Sequence, residues 1–448
     1  MLDIKITAAL SKKEKPADNV LGFGRHFTDH MFIMDYDVEK GWHDARIVPF
    51  GPIAIHPAST VLHYGAEIFE GLKAYRRLSD GKVQMFRPLE NIRRMNVSAE
   101  RLCLPTIPEE DALQCYTEFV RHEQAWVPHT EGTSLYIRPF MFGNDPYLGV
   151  HGVNEAVFMI IASPSGSYYK EGINPVGIMI EDEDVRAVRG GTGYAKCGGN
   201  YAASNRAGER AAQKGYSQVL WLDGVERKYI EEVGAMNVMF KIAGEVVTPM
   251  LSGSILPGIT RKSCIDLIRS WGIEVEERLI TAEELFDAAE NGTLEEVWGT
   301  GTAAVISPVG HLRFQDQVMQ IKDGGIGELS QKLYDYLVRN EQVNAKAAEL
   351  IAEDKYDFIA IHAANYDTRM HKEGPESIEA LSELKVNTAA YGIFDSLVQT
   401  HWKNHNVFMG YAMDHGCHEI EGGLGSHGLD MSEDLNIKHF YKAYKKED

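Results

Sequence analysis

Apolar positions along this chain recur with two periods, and the places where the period changes divide it into elements. "GKVQMFRP" (81–88) and "TSLYIRPFMFG" (133–143) carry the β-branched and aromatic content of strands, one short and one long. Between them "NIRRMNVSAERLCL" (91–104) returns its apolar residues every three to four positions, which predicts an amphipathic helix. "AVFMIIASPSGSYYKEG" (156–172) predicts a buried strand running into a Pro/Gly/Ser loop that serves as a linker. Beyond it, a helix is expected from Asn200 to Lys214, stopped by Gly215. "SQVLWLDG" (217–224) follows as a strand, "NVMFKIAGEVVTPM" (237–250) as a hairpin turning near Gly244, and "TRKSCIDLIRSWG" (260–272) as a helix closed by Gly272. From about 345 the character changes. "DFIAIHAANYD" (357–367), the helical "SIEALSELKVNTAAYGIFDSLVQTHW" (377–402) and "VFMGYAMDHG" (407–416) together read as one β-α-β unit, with polar residues gathered where the strands end.

Composition narrows the field. The chain has 448 residues, 44% hydrophobic and 25% charged, enough for two or three domains with cores of their own. A net charge of −20 argues against nucleic acid or an anionic membrane surface as the partner. The longest apolar run, "AVFMIIA" (156–162), is far short of the roughly 20 residues a spanning helix needs. The five cysteines, Cys103, Cys115, Cys197, Cys264 and Cys417, form no C-x-x-C pair, and the N-terminus has no secretory apolar region. A reducing cytoplasm is the expected setting.

The candidate chemistry gathers around one lysine. In "GYAKCGGNY" Lys196 is followed by Gly198 and Gly199, which allow close backbone approach to a bound group, although two glycines equally suit an ordinary loop. "YIEEVGAMNVMF" places Glu231 and Glu232 at a strand end. Two Gly/Thr loops follow, "LPGITRKS" and "WGTGTAAVISP"; such loops present N–H groups and a hydroxyl to a phosphate, and they also serve as plain helix caps. Pyridoxal phosphate requires a lysine, a partner for its pyridine nitrogen and donors for its phosphate.

In wording and order, residues 18–344 resemble the branched-chain-amino-acid aminotransferases of the class IV pyridoxal-phosphate family. The resemblance rests on "FGRHFTDHM", "LHYGAEIFEGLKAY", "FRPLENIRRM", "LYIRPFMFGNDPYLGV", "AKCGGNY", "EEVGAMN", "LPGITR" and "GTGTAAVISPVG". It implies an α/β (α+β) fold of type IV: a small N-terminal domain over 1–170 and a large cofactor-binding domain over 171–344. It implies Lys196 as the Schiff-base residue and catalytic base, Tyr201 on the cofactor's phenolic oxygen and Glu232 at the pyridine nitrogen. It implies Arg87, Gly258, Ile259, Thr260, Gly301 and Thr302 around the phosphate. The substrate side would be Tyr64, Phe69, Tyr136 and Arg138, with Ala303 and Ala304 near the substrate carboxylate. The implied reaction moves the amino group of leucine, isoleucine or valine to 2-oxoglutarate, in a homodimer; a D-amino-acid transaminase or an aminodeoxychorismate lyase is the near neighbour within the fold.

The tail (345–448) looks like the C-terminal part of alkaline-phosphatase-superfamily metalloenzymes. That likeness implies Asp367, His371 and His427 on one Zn or Mn ion and Asp414 and His415 on another. The aspartate and Ser/Thr nucleophile that such enzymes carry on earlier strands have no candidate segment here. A metal-dependent phosphohydrolase is therefore the alternative function, carried by an incomplete fragment.

Overall fold

The computed structural model describes residues 2–77, 81–130, 132–166, 173–337, 407–412, 418–419, 425–426 and 439–444. Two compact units result, one of 1–264 with 275–342 and one of 265–274 with 343–448. The first unit carries two large sheets.

The first sheet comprises β1 (Lys5–Ile6), β2 (His30–Asp37), β3 (Gly41–Pro49), β4 (Glu67–Phe69), β5 (Leu72–Arg76), β6 (Val83–Met85), β7 (Ser134–Gly143) and β8 (Glu155–Ser165). Its spatial order is β1-β3-β2-β8-β7-β5-β6, with β4 paired to β7. Besides the short α1 (Thr60–Tyr64), two helices belong to this half, α2 (Pro88–Arg101) and α3 (Glu109–Glu123). Phe32, Phe158, Ile160, Met95, Tyr116 and Phe119 fill the core they share with the sheet. Burying one such aromatic side chain contributes roughly 2–3 kcal/mol.

The second sheet comprises β9 (Val176–Glu181), β10 (Gln218–Leu222), β11 (Ile230–Val233), β12 (Met236–Ile242), β13 (Glu245–Pro249), β14 (Val275–Arg278), β15 (Leu294–Gly301), β16 (Val305–Phe314) and β17 (Gln317–Gln320). Its order is β11-β10-β9-β16-β15-β12-β13-β14, and β11 also pairs with β12, so the strands from β11 round to β12 close into a ring. Closure removes the exposed edges a flat sheet would leave. Ile180, Leu220, Val233, Val238, Phe240, Val297 and Leu312 belong to its core. The helices that follow in sequence are α4 (Gly198–Ala202), α5 (Asn205–Gln213), α6 (Ile259–Ser270), of which 259–264 belong to this unit, and α7 (Ala282–Glu290).

The long strands at 133–143 and 156–162 lie where their apolar pattern predicts. So does the hairpin at Gly244: Ala243 and Gly244 both have positive φ, 50° and 84°, as a two-residue turn between twisted strands requires. The helix expected from 91 begins earlier, at Pro88, because proline suits a first helical position. The helix expected from Asn200 to Lys214 is divided. Ser204 Oγ donates to the Asn200 carbonyl (2.9 Å) while the Ser204 N–H turns to Tyr201 O (3.0 Å), so the side chain competes with the helical ladder where α4 gives way to α5.

In the tail, the described strand β18 (Val407–Ala412) pairs antiparallel with β21 (His439–Tyr444), and β19 (His418–Glu419) pairs with β20 (Gly425–Ser426). The strand and helix expected over 357–367 and 377–402, and the candidate metal ligands Asp367, His371, Asp414, His415 and His427, lie outside the described residues. Among the described residues no helix is long and apolar enough to cross a membrane.

Candidate active site

Lys196 is held by its backbone before its side chain does anything. Its N–H donates to Ser98 Oγ in α2 (2.9 Å), and its carbonyl accepts from Phe69 N–H in β4 (3.0 Å). Two residues on, Gly198 N–H donates to the Glu67 carboxylate, and a Cβ at 198 would overlap that same carboxylate. The glycine after the lysine is thus required by close approach, not by an unusual φ.

The amine end is ringed by aromatic and charged groups. Lys196 Nζ donates to Tyr201 Oη at 2.8 Å and lies 4.8 Å from the centre of the Phe69 ring. Phe69 is also 4.8 Å from the Tyr201 ring and 4.5 Å from the Arg138 guanidinium carbon. Arg138 Nη2 donates to Tyr136 Oη at 2.9 Å, and Arg138 Nε is buried without a hydrogen-bond partner among the described residues. Lys196 is half-buried, yet the protein around its amine lowers its pKa to about 8: burial acts first, Arg94 adds to it, and Glu70 opposes. Burial likewise pushes the Tyr201 phenol up, which keeps it protonated.

Glu232 is buried in β11. Its Oε1 accepts from Asn237 Nδ2 (3.0 Å) and Leu256 N–H (3.3 Å), while its Oε2 meets Arg186 at 2.6 Å. Burial raises its pKa against the pull of that arginine. Arg186, Tyr201 and Glu232 line a cavity of about 310 Å³, the lower end of the roughly 300–1,000 Å³ usual for small-molecule sites. The Nε of Arg186 is buried and has no hydrogen-bond partner among the described residues.

A second, smaller hollow is lined by Lys73, Phe86, Ile259, Thr260 and Thr302, so the two Gly/Thr loops do converge. Arg87 stands next to it in sequence, at the N-cap of α2 with φ 47°, where helix N–H groups and a guanidinium favour an anion. Gly258 is fixed by close approach, since a Cβ there would overlap Asn237 Oδ1. The turn Thr302-Ala303-Ala304 joins β15 to β16 between Gly301 and Val305. Val305 has a φ of 62°, strained for a β-branched residue, and Lys73 Nζ donates to Ala303 O (3.1 Å).

The structure therefore gathers Lys196, Tyr201, Phe69, Tyr136 and Arg138 into one cluster, with Glu232 behind Tyr201 along the cavity wall. Tyr64 is different: it is 43% exposed at the end of α1, and its hydroxyl accepts from Gly149 N–H at 2.9 Å. The sequence reading missed Arg186, Ser98, and the Glu70–Arg94 pair that lies against the lysine segment. A signal for the last was available. Asn91, Arg94 and Ser98 fall on the same buried stripe of α2 as Ile92, Met95 and Ala99, and polar residues on an apolar stripe need partners inside.

Known proteins are similar to this chain over most of its length. The amino-transferase class IV family matches residues 67–312. "Branched-chain-amino-acid aminotransferase 2" of Bacillus subtilis (strain 168) is 55% identical over 332 residues, 74% of this chain and 91% of that protein. "Probable branched-chain-amino-acid aminotransferase" of Staphylococcus aureus (strain MRSA252) is 52% identical over 356 residues, 79% of this chain and 99% of that protein. The solved branched-chain amino acid aminotransferase of Escherichia coli superposes with a TM-score of 0.59 at 28% identity, covering 73% of this chain and 97% of that one. The branched-chain amino acid aminotransferase of "T.th.", solved with pyridoxamine 5'-phosphate, superposes with a TM-score of 0.58 at 28% identity, covering 69% of this chain and 94% of that one. With its sheets, its lysine segment and most of its length matched in this way, the chain belongs to the class IV aminotransferase family.

Proposed function

We propose that this protein is a pyridoxal-phosphate-dependent transaminase that moves the amino group of leucine, isoleucine or valine to 2-oxoglutarate, giving 2-oxo acids and L-glutamate. The observation that carries the reading is the Lys196 amine, poised near neutrality at about 8 and hydrogen-bonded to Tyr201. The substrate class rests on relatives above 50% identity that carry that name.

The residues present fit the cofactor. Lys196 offers an amine, Glu232 an acid, and the α2 N-terminus with Arg87, Thr260 and Thr302 offers donors suited to a phosphate. Arg186 adds a buried Nε with an unused hydrogen-bond capacity on the cavity wall. When bound, pyridoxal phosphate supplies the aldehyde that accepts the amino group and the ring that draws electrons from the substrate Cα.

The chain supplies the rest. Lys196 Nζ, neutral in an appreciable fraction at pH 8, takes the proton from the substrate Cα. Tyr201, protonated, orients that amine through the 2.8 Å bond. Phe69 and Tyr136 would meet the aliphatic side chain, and the Arg138 guanidinium, 4.5 Å from the Phe69 ring, would supply the charge for the second carboxylate of 2-oxoglutarate. One pocket thereby accepts both an aliphatic and an acidic side chain.

We also read 1–170 and 171–344 as two domains, supported by the change of sheet between Ser165 and Val176. A homodimer is supported by exposed apolar residues on α1 and the 147–150 loop: Leu62, Tyr64, Tyr147, Leu148 and Val150. The scattered cysteines, of which the four described form no disulfide with one another, favour the cytoplasm. The test is glutamate release from 2-oxoglutarate with L-leucine and D-leucine in parallel. Turnover with the L-isomer supports the reading; turnover with the D-isomer alone replaces it with a D-amino-acid transaminase.

A further inference from the structure

Glu70 and Arg94 are almost sealed from solvent, 0% and 8% exposed, and every direction of their hydrogen bonding leads to a segment of the site. Arg94 Nε and Nη2 donate as a fork to Glu70 Oε1 and Oε2, both at 2.8 Å. Asn91 Nδ2 donates to Glu70 Oε2 at 2.8 Å and to Gly71 O at 3.1 Å. The remaining Arg94 Nη1 donates to Pro257 O at 3.1 Å, one residue before Gly258. Glu70 directly follows Phe69, whose N–H holds the Lys196 carbonyl. Arg94 lies one turn before Ser98, whose Oγ accepts from Lys196 N–H and donates to Arg94 O at 3.0 Å.

The pair thus joins the two elements that grip Lys196 from either side. Burying two charges is costly, and an apolar pair would fill the same space without that cost. What the ion pair adds is geometry and a balanced field.

We propose that the Glu70–Arg94 pair is the positioning unit of this active site: it braces α2 against β4, keeping both backbone holds on Lys196 in register, and ties the Gly258–Thr260 loop to the same frame. This inference rests on the reading of Lys196 as the cofactor-bearing residue. Neither Glu70 nor Arg94 needs to touch substrate. The two charges act on the lysine in opposite senses, Arg94 favouring the neutral amine and Glu70 the charged one. Glu70 stays ionised in turn: burial opposes its charge most, and Arg94, Lys196 and the Asn91 hydrogen bond together outweigh burial.

The test uses the full chain free of cofactor. Lys196 is labelled with trinitrobenzenesulfonate across pH, and its peptide is quantified by mass spectrometry. The wild-type midpoint is expected near 8. Glu70→Gln leaves the pull of Arg94 unopposed, so the midpoint moves down. Arg94→Lys keeps the charge and loses the fork, so the midpoint stays near the wild-type value while leucine kcat falls about tenfold. Because Glu70→Gln strands a buried guanidinium and can unfold the chain, the neutral double variant Glu70→Gln/Arg94→Met carries a separate arm. It is expected to fold and to lose about tenfold or more in kcat, with the leucine KM changed less. A Glu70→Gln midpoint at or above that of the wild type, or a double variant with wild-type kcat, overturns the proposal. If the wild type fails to turn over leucine at all, it is the transaminase reading that falls, and the labelling midpoints still decide the brace.

Discussion

At Lys196 the folded chain disfavours a charge that the unfolded chain carries freely. Its amine falls from the ordinary 10.5 to about 8, so between those values the unfolded state binds more protons than the folded one. Stability therefore rises with pH across that window, is lowest from this residue below about 8, and is fully recovered above 10.5. Thermal unfolding of the cofactor-free chain should show this gain, and Lys196→Met should lack it; identical pH slopes in the two proteins would mean that the amine is not deprotonated by the fold. A second residue-scale expectation concerns Glu232. Glu232→Gln keeps the shape and the Asn237 and Leu256 contacts but loses the charge, and kcat should drop about a hundredfold with the cofactor partly retained; an unchanged rate would reassign the partner of the ring. Lys196 itself was legible in the sequence because a lysine between small residues in a run of matching motifs has few other uses. Arg186 was not, because "EDEDVRAVRGG" gives no sign that one of its arginines turns inward onto Glu232.

Among elements, the loop–helix junctions carry the constraint. Gly258 opens α6, and a methyl group there would meet Asn237, which also holds Glu232 and the Leu256 carbonyl. Gly258→Ala should therefore weaken cofactor binding about tenfold and lower the unfolding midpoint by a few degrees, read by equilibrium titration and by calorimetry. Unaltered binding would show that Asn237 yields without disturbing Glu232. The helix near 91 was readable because one buried face sets its period, and the strand at 133–143, buried along most of its length, because its aromatic and apolar run is interrupted by few polar residues. The break between α4 and α5 was not, because it comes from one side-chain bond, Ser204 to the Asn200 carbonyl, that leaves no mark on periodicity. The buried stripe of α2 lies between these cases: its period was visible, and the partners of Arg94 were not, since Glu70 lies just past the end of β4, 24 residues away.

For the whole molecule, the proposed site draws on two sheets: Phe69, Tyr136 and Arg138 come from the first, Glu232 from the second and Thr302 from the turn after β15. The closed ring of the second sheet could not be foreseen from its strands, because closure depends on β11 meeting β12 as well as β10. If the tail's histidines and aspartates took part in catalysis, metal would be required. Treatment with a chelator is expected to leave leucine turnover within about twofold of the untreated rate, since general-base catalysis by an amine needs no metal; a chelator-sensitive rate restored by Zn or Mn would bring the tail into the mechanism. The most direct measurement is the visible absorbance of the purified protein with pyridoxal phosphate, recorded before and after addition of L-leucine, beside Lys196→Ala. A visible band that leucine bleaches and 2-oxoglutarate restores, absent in the variant, is the expected result. A variant that keeps both the band and full leucine turnover would contradict the central role of Lys196.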